Sequence, residues 1–192
     1  MSRLELLVVC ASIDDRARPF LERLARRYLL EIAAPGATAR AETATELEVR
    51  RFATATPPQE HAGRFGEALA GARARGPWTP DLFEFLHHEH ARYRAIAFFS
   101  YASPLTAFGL PLVPERAILL PLVDGADDLG IAPYRALFHL PRAIGYRDDA
   151  ERRRVHAAVR NEQVPYELLS LDDASGPGDE AFDRLVAIAV HG

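Results

Sequence analysis

Leu4-Glu5-Leu6-Leu7-Val8-Val9-Cys10-Ala11 decides the fold class. After Glu5 the run is apolar at every position, so both faces of an extended chain are built to meet hydrophobic neighbours. A strand of this kind belongs at the centre of a parallel sheet covered by helices on each side. The residues that follow start a helix. Ser12 stands three positions before Asp15, a capping-box pattern with Asp where Glu or Gln is usual. Asp14 and Asp15 suit the positive end of the helix dipole, and Arg23, Arg26 and Arg27 suit its negative end. Ala17, Phe20, Leu21, Leu24, Ala25 and Tyr28 recur at helical spacing.

The same unit repeats outward. Tyr28 to Ala34 is a second short apolar run, stopped by Pro35-Gly36, and Glu46 to Phe52 alternates as a more exposed strand. Pro57-Pro58 precedes a helical stretch from Glu60 to Arg75. Thr79-Pro80-Asp81 then starts another helix, with Thr as N-cap and Pro at the first helical position. Ala95 to Phe99, Ala117 to Leu120 and Ala143 to Tyr146 read as compact buried strands, and Glu167 to Leu171 as a last one. Ile131 to Leu140 and Asp148 to Val159 read as helices. Strands alternating with helices imply an α/β domain with a mainly parallel sheet. The domain is expected over residues 1–171, with a polar linker and a C-terminal helix over 172–192. Leu185, Val186, Ile188, Ala189 and Val190 give that helix an apolar face, and a complete folding unit would pack it back on the domain.

Composition narrows the functions. The chain has 192 residues, enough for one well-buried domain, and 23 basic against 27 acidic residues give a formal charge of −4. No general positive field attracts nucleic acid or an anionic membrane surface. No segment approaches the ~20 apolar residues of a membrane span, and the N-terminus lacks signal-peptide features. The single cysteine, Cys10, lies in the apolar run and behaves as a small hydrophobe, so a cytoplasmic location is expected.

Motif tests are mostly negative. The turn after the first strand, Cys10-Ala11-Ser12-Ile13-Asp14-Asp15, has no glycine, and its acids oppose a pyrophosphate at the helix N-terminus. No P-loop and no G-x-S-x-G elbow occurs. His87-His88-Glu89-His90 lacks the H-E-x-x-H spacing and a third ligand, so neither a metal nor a cofactor is expected. The most distinctive segment runs from Phe98 to Pro111. It follows a buried strand, at the strand end where open α/β sheets bind ligands. Tyr101, Ser103 and Thr106 offer hydroxyl donors there. The same hydroxyls equally suit a structured loop that caps the next helix.

From Gly76 to Val159 the chain resembles the N-terminal domain of glycosyltransferase family 4 enzymes. Gly76-Pro77-Trp78-Thr79-Pro80, Phe98-Phe99-Ser100-Tyr101, Thr106, Gly109-Leu110-Pro111-Leu112-Val113, Glu115-Arg116-Ala117-Ile118-Leu119-Leu120-Pro121 and Leu137-Phe138-His139-Leu140-Pro141-Arg142-Ala143 carry the resemblance. It implies a single Rossmann-like three-layer domain, the acceptor side of a GT-B architecture, transferring a hexose from a nucleotide sugar. By motif match it implies Tyr101, Thr106 and Asp124 as substrate-binding positions, with no catalytic residue assigned.

Two departures bear on activity. The family's P-x-x-H-D-E is here Pro121-Leu122-Val123-Asp124-Gly125. Valine stands where the family has its cleft histidine, and it can neither donate a hydrogen bond nor move a proton. Fewer than thirty residues follow Pro165, so the donor-binding domain is expected elsewhere, either in a longer form of the chain or on a second polypeptide. Two readings stay open. One is an acceptor-side half of a glycosyltransferase. The other is a non-catalytic standalone domain that binds a sugar, a nucleotide or a protein. Candidate partners are a donor-domain polypeptide, a sugar acceptor and a second copy of the chain.

Overall fold

The computed structural model describes residues 5–13, 17–36, 41–44, 47–58, 70–123, 129–169 and 177–192. Eight strands form one sheet: β1 Glu5–Val9, β2 Leu29–Pro35, β3 Ala41–Ala44, β4 Leu47–Phe52, β5 Ala95–Phe99, β6 Ala117–Leu120, β7 Ala143–Tyr146 and β8 Tyr166–Leu168. Their order is β3-β4-β2-β1-β5-β6-β7-β8. The seven strands from β4 to β8 in that order run parallel, and β3 joins β4 antiparallel at one edge. The chain is a Rossmann-like three-layer α/β domain. Among the described residues, no helix is long and apolar enough to cross a membrane.

β1 sits at the centre, as its uninterrupted apolar run requires. Leu6, Leu7, Val8 and Val9 are all fully buried, and they divide between two cores. Leu7 and Val9 face one side with Ile96, Phe98, Leu119 and Ile144. That side is covered by helices α2 (Pro80–Glu89), α3 (Pro104–Gly109), α4 (Ala132–Leu137) and α5 (Asp149–Val159). Leu6 and Val8 face the other side with Ile32, Ala97, Ile118 and Leu120. There α1 (Ala17–Arg27) and α6 (Pro177–His191) supply the cover. Each fully buried large side chain contributes about 1.5–3 kcal/mol of transfer free energy.

The C-terminal helix does pack back. Phe182 and Leu185 are fully buried, and the Phe182 ring stands edge-on to Phe20 at 5.5 Å and to Tyr28 at 6.1 Å. Arg23 pairs with Asp179 at 2.9 Å, while Arg27 and the Tyr28 hydroxyl both bond Asp183. Burial and the Asp183 carboxylate push the Tyr28 phenol well above its ordinary pKa. Gly145 in β7 makes the close approach of this layer feasible. A Cβ there would clash with Leu169 Cδ1 and lie 3.0 Å from Leu185 Cδ1.

Helix starts separate into two kinds. Ser103 caps α3 through Leu105 N–H at 3.2 Å, and Asp148 caps α5 through Glu151 N–H at 2.7 Å. Thr79 occupies the N-cap position of α2 but does not cap it with its side chain. Its hydroxyl is fully buried and has no hydrogen-bond partner among the described residues. Propensity identified the position, but the hydroxyl does not make the capping bond. β3 went unrecognised because Ala-Glu-Thr-Ala has no apolar alternation and only Thr43 as a β-former. Most of the helix expected over Glu60 to Arg75 lies outside the described residues; residues 70–74 are helical.

Candidate functional site

The parallel strands end together on one side of the sheet, and the strand order reverses at β1. From β1 the chain goes first to β2 on one flank and later to β5 on the other. The loops leaving β1 and β5 therefore diverge, which makes this the switch point at which open α/β sheets usually bind ligands. Ala11 and Ser12 are exposed on the β1 side, and Ser100 is half-buried on the β5 side.

The β5 loop is pinned to the end of β6 by its backbone. Ser100 has φ 64° and donates its N–H to Leu120 O at 2.9 Å, while Tyr101 N–H reaches Pro121 O at 3.0 Å. Leu122, just past β6, has φ 51°. Left-handed conformations at non-glycine residues cost roughly 1 kcal/mol or more and persist only where the surroundings enforce them. Both lie at the ends of the two strands that carry the distinctive motifs.

The motif residues point inward more than expected. Tyr101 is buried, its ring edge-on to Tyr134 at 5.4 Å and tilted against Phe138 at 5.6 Å. Thr106 is fully buried and donates its hydroxyl to Phe99 O at 3.1 Å. It thereby ties α3 to the end of β5. Asp124 lies outside the described residues. Val123 is fully buried within the core, and its backbone N–H donates to Glu151.

Glu151 was not marked by any motif, yet it organises this end of the sheet. It is 1% exposed and accepts from Val123 N–H and, at 2.6 Å, from Arg147 N–H. One carboxylate thus joins the loop after β6 to the loop after β7. Burial pushes its pKa above the ordinary glutamate value, with the two N–H donors acting against the shift. On the outer side, Arg147 and Arg154 both donate to Val123 O, at 3.4 and 3.1 Å. The signal available in the sequence was Asp148 followed three residues later by Glu151, a capping-box spacing.

A shallow cavity of about 350 Å³ opens at the opposite, N-terminal edge of the sheet, beside Glu5, Tyr28, Glu31, Glu48, Arg92 and Tyr93. Glu31 is buried there and already accepts from Arg50 at 2.5 Å and from the Tyr93 hydroxyl. His87 and His88 are both exposed, and His90 Nδ1 lies 3.0 Å from Leu86 O. Among the described residues, no group of three or more His, Cys, Asp or Glu could hold a metal ion. Neither a protein-family model nor a curated protein matches the chain.

Proposed function

We propose that the chain is an acceptor-side domain of the glycosyltransferase type, holding a sugar-bearing ligand at the switch point between the ends of β1 and β5. Hexosyl transfer from a nucleotide sugar then requires a donor-binding domain in addition to residues 1–192. One observation carries the reading. The stretch that resembles the family, Gly76 to Val159, forms β5, β6 and β7 and the helices that follow them, including their ligand-side loops. Ser12 and Ser100 supply hydroxyls at the switch point, and the reading calls for no resident cofactor. A cytoplasmic setting belongs to the same reading, since the lone Cys10 is buried and cannot form an internal disulfide.

A second reading, a non-catalytic domain that binds a sugar, a nucleotide or a protein, draws support from Val123. Its side chain is enclosed in the core, and its N–H is held by Glu151. That position therefore presents no group able to handle a proton.

Calorimetric titration with UDP- and GDP-hexoses and simple hexosides, followed by a turnover assay with a donor-type domain, separates the two. Turnover in the mixture supports the transferase half, whereas hexoside or nucleotide binding without turnover supports the non-catalytic domain. Absence of both binding and turnover sinks the acceptor-side reading.

A further inference from the structure

We propose that His156 is a pH-sensitive latch on the last strand of the sheet, and that its protonation loosens β8 from β7. β8 is weakly held by its position. It has three residues, ends the strand order and borders β7 alone. Leu169 N–H donates to Tyr146 O at 2.6 Å and Ile144 N–H to Pro165 O at 2.9 Å, so both bonds break when the two strands part. On one face of β8, Arg184 holds Glu167 through two bonds, but that pair is exposed and adds little.

The other face carries three rings. Tyr146 of β7, His156 of α5 and Tyr166 of β8 form a triangle with every pair edge-to-face. Their centroids lie 5.7 Å apart for Tyr146–His156, 5.8 Å for Tyr146–Tyr166 and 5.7 Å for His156–Tyr166. The imidazole is thus the group through which α5 grips both strands.

Its protonation state is set by a neighbour on its own helix. Arg152 Nη1 lies 3.4 Å from His156 Nδ1. A guanidinium only donates, so Nδ1 accepts and the ring proton sits on Nε2. Nε2 is buried and meets no hydrogen-bond partner among the described residues. A second proton can go only to Nδ1, where it would confront an arginine N–H and a like charge. Arg152 is kept there by Asp149 at 2.6 Å and by lying over the Tyr166 ring at 5.4 Å. Burial and Arg152 hold the His156 pKa below its ordinary 6.5, while Glu162, beyond the end of α5, acts the other way. When β8 leaves, Tyr166 no longer covers the imidazole or keeps Arg152 against it, and both penalties are relieved.

The closed strand therefore binds this proton more weakly than the open one. The latch is complete above the ordinary value of 6.5 and weakens as pH falls through the folded value. Opening of β8 should rise by up to about tenfold per pH unit below 6.5, levelling off once the folded imidazole is itself charged.

Amide hydrogen exchange on the full chain, read by NMR at about pH 7.5 and about pH 5, tests the proposal on either side of an ordinary histidine pKa. Rates are expressed as protection, which removes the intrinsic pH dependence of exchange. Leu169 and Ile144 N–H should lose protection at the lower pH relative to Cys10 N–H, which bonds Ala33 O at 3.1 Å in the centre of the sheet. His156→Phe keeps a ring in the triangle and does not titrate, so it should abolish that relative loss. Arg152→Gln keeps a donor for Nδ1 without the charge. There the His156 midpoint, read from its ring-proton shifts, should rise and the relative loss should shrink. Equal relative protection at both pH values overturns the proposal. So does the same loss in His156→Phe, or an unmoved His156 midpoint in Arg152→Gln.

Discussion

Glu151 commits both carboxylate oxygens to backbone N–H groups of two different loops. Removing them would leave two buried donors unpaired, at about 1–3 kcal/mol each. Because burial raises its folded pKa above the reference value of 4.5, the direction of the pH effect is fixed. The folded state holds the proton more tightly than the unfolded chain does. The group's contribution is therefore full below the unfolded pKa and is lost as pH rises through the folded value. Glu151→Gln keeps an acceptor and does not titrate. The Tm difference, wild type minus variant, should fall as pH rises above the reference value of 4.5, and a flat difference contradicts the assignment. Thr106 makes a smaller, pH-independent contribution. Thr106→Val removes the bond to Phe99 O and should cost about 1 kcal/mol in chemical denaturation, with the m-value unchanged.

At the scale of elements, the C-terminal helix is part of the core rather than an appendage. α6 places Phe182 between Phe20 and Tyr28 and adds ion pairs to α1 at Arg23 and Arg27. The exposed Arg27–Asp183 pair contributes little, whereas Arg23–Asp179 is largely buried and adds to what the ring supplies. Phe182→Ala should cost about 3–5 kcal/mol. Loss of only α6, with the rest still cooperative, would instead give two transitions. Legibility at this scale followed burial. Ala95 to Phe99, Ala117 to Leu120 and Ala143 to Tyr146 are strands as read, because each is short, apolar and bounded by turn residues. β3 was not legible, since its place depends on the antiparallel neighbour β4 rather than on its own side chains.

For the whole molecule, the decisive feature is the reversal of strand order at β1, the switch point beside β5 where ligand binding is proposed. Ala11 is exposed there. Ala11→Arg crowds this position without disturbing the core, so stability should stay within about 0.5 kcal/mol of wild type. Hexoside or nucleotide-sugar binding should fall at least tenfold by calorimetry. Unchanged binding would move the site away from the switch point.

The run Leu4 to Ala11 by itself determined that this is an α/β protein with a central parallel strand, because a strand apolar on both faces needs cover on both. The order of most other elements followed from periodicity, which depends on near neighbours in the chain. Where the motif side chains end up was decided only by tertiary structure. Tyr101 turns against Tyr134 and Phe138, Thr106 bonds back to Phe99, and Val123 is clamped by Glu151. Each destination is set by partners that the local pattern around the motif did not specify. For Val123 and Tyr101, the nearest of those partners lie about 28 and 33 residues along the chain. Spacing therefore located the loops at the ends of β5 and β6, while packing decided which of their side chains still face the switch point.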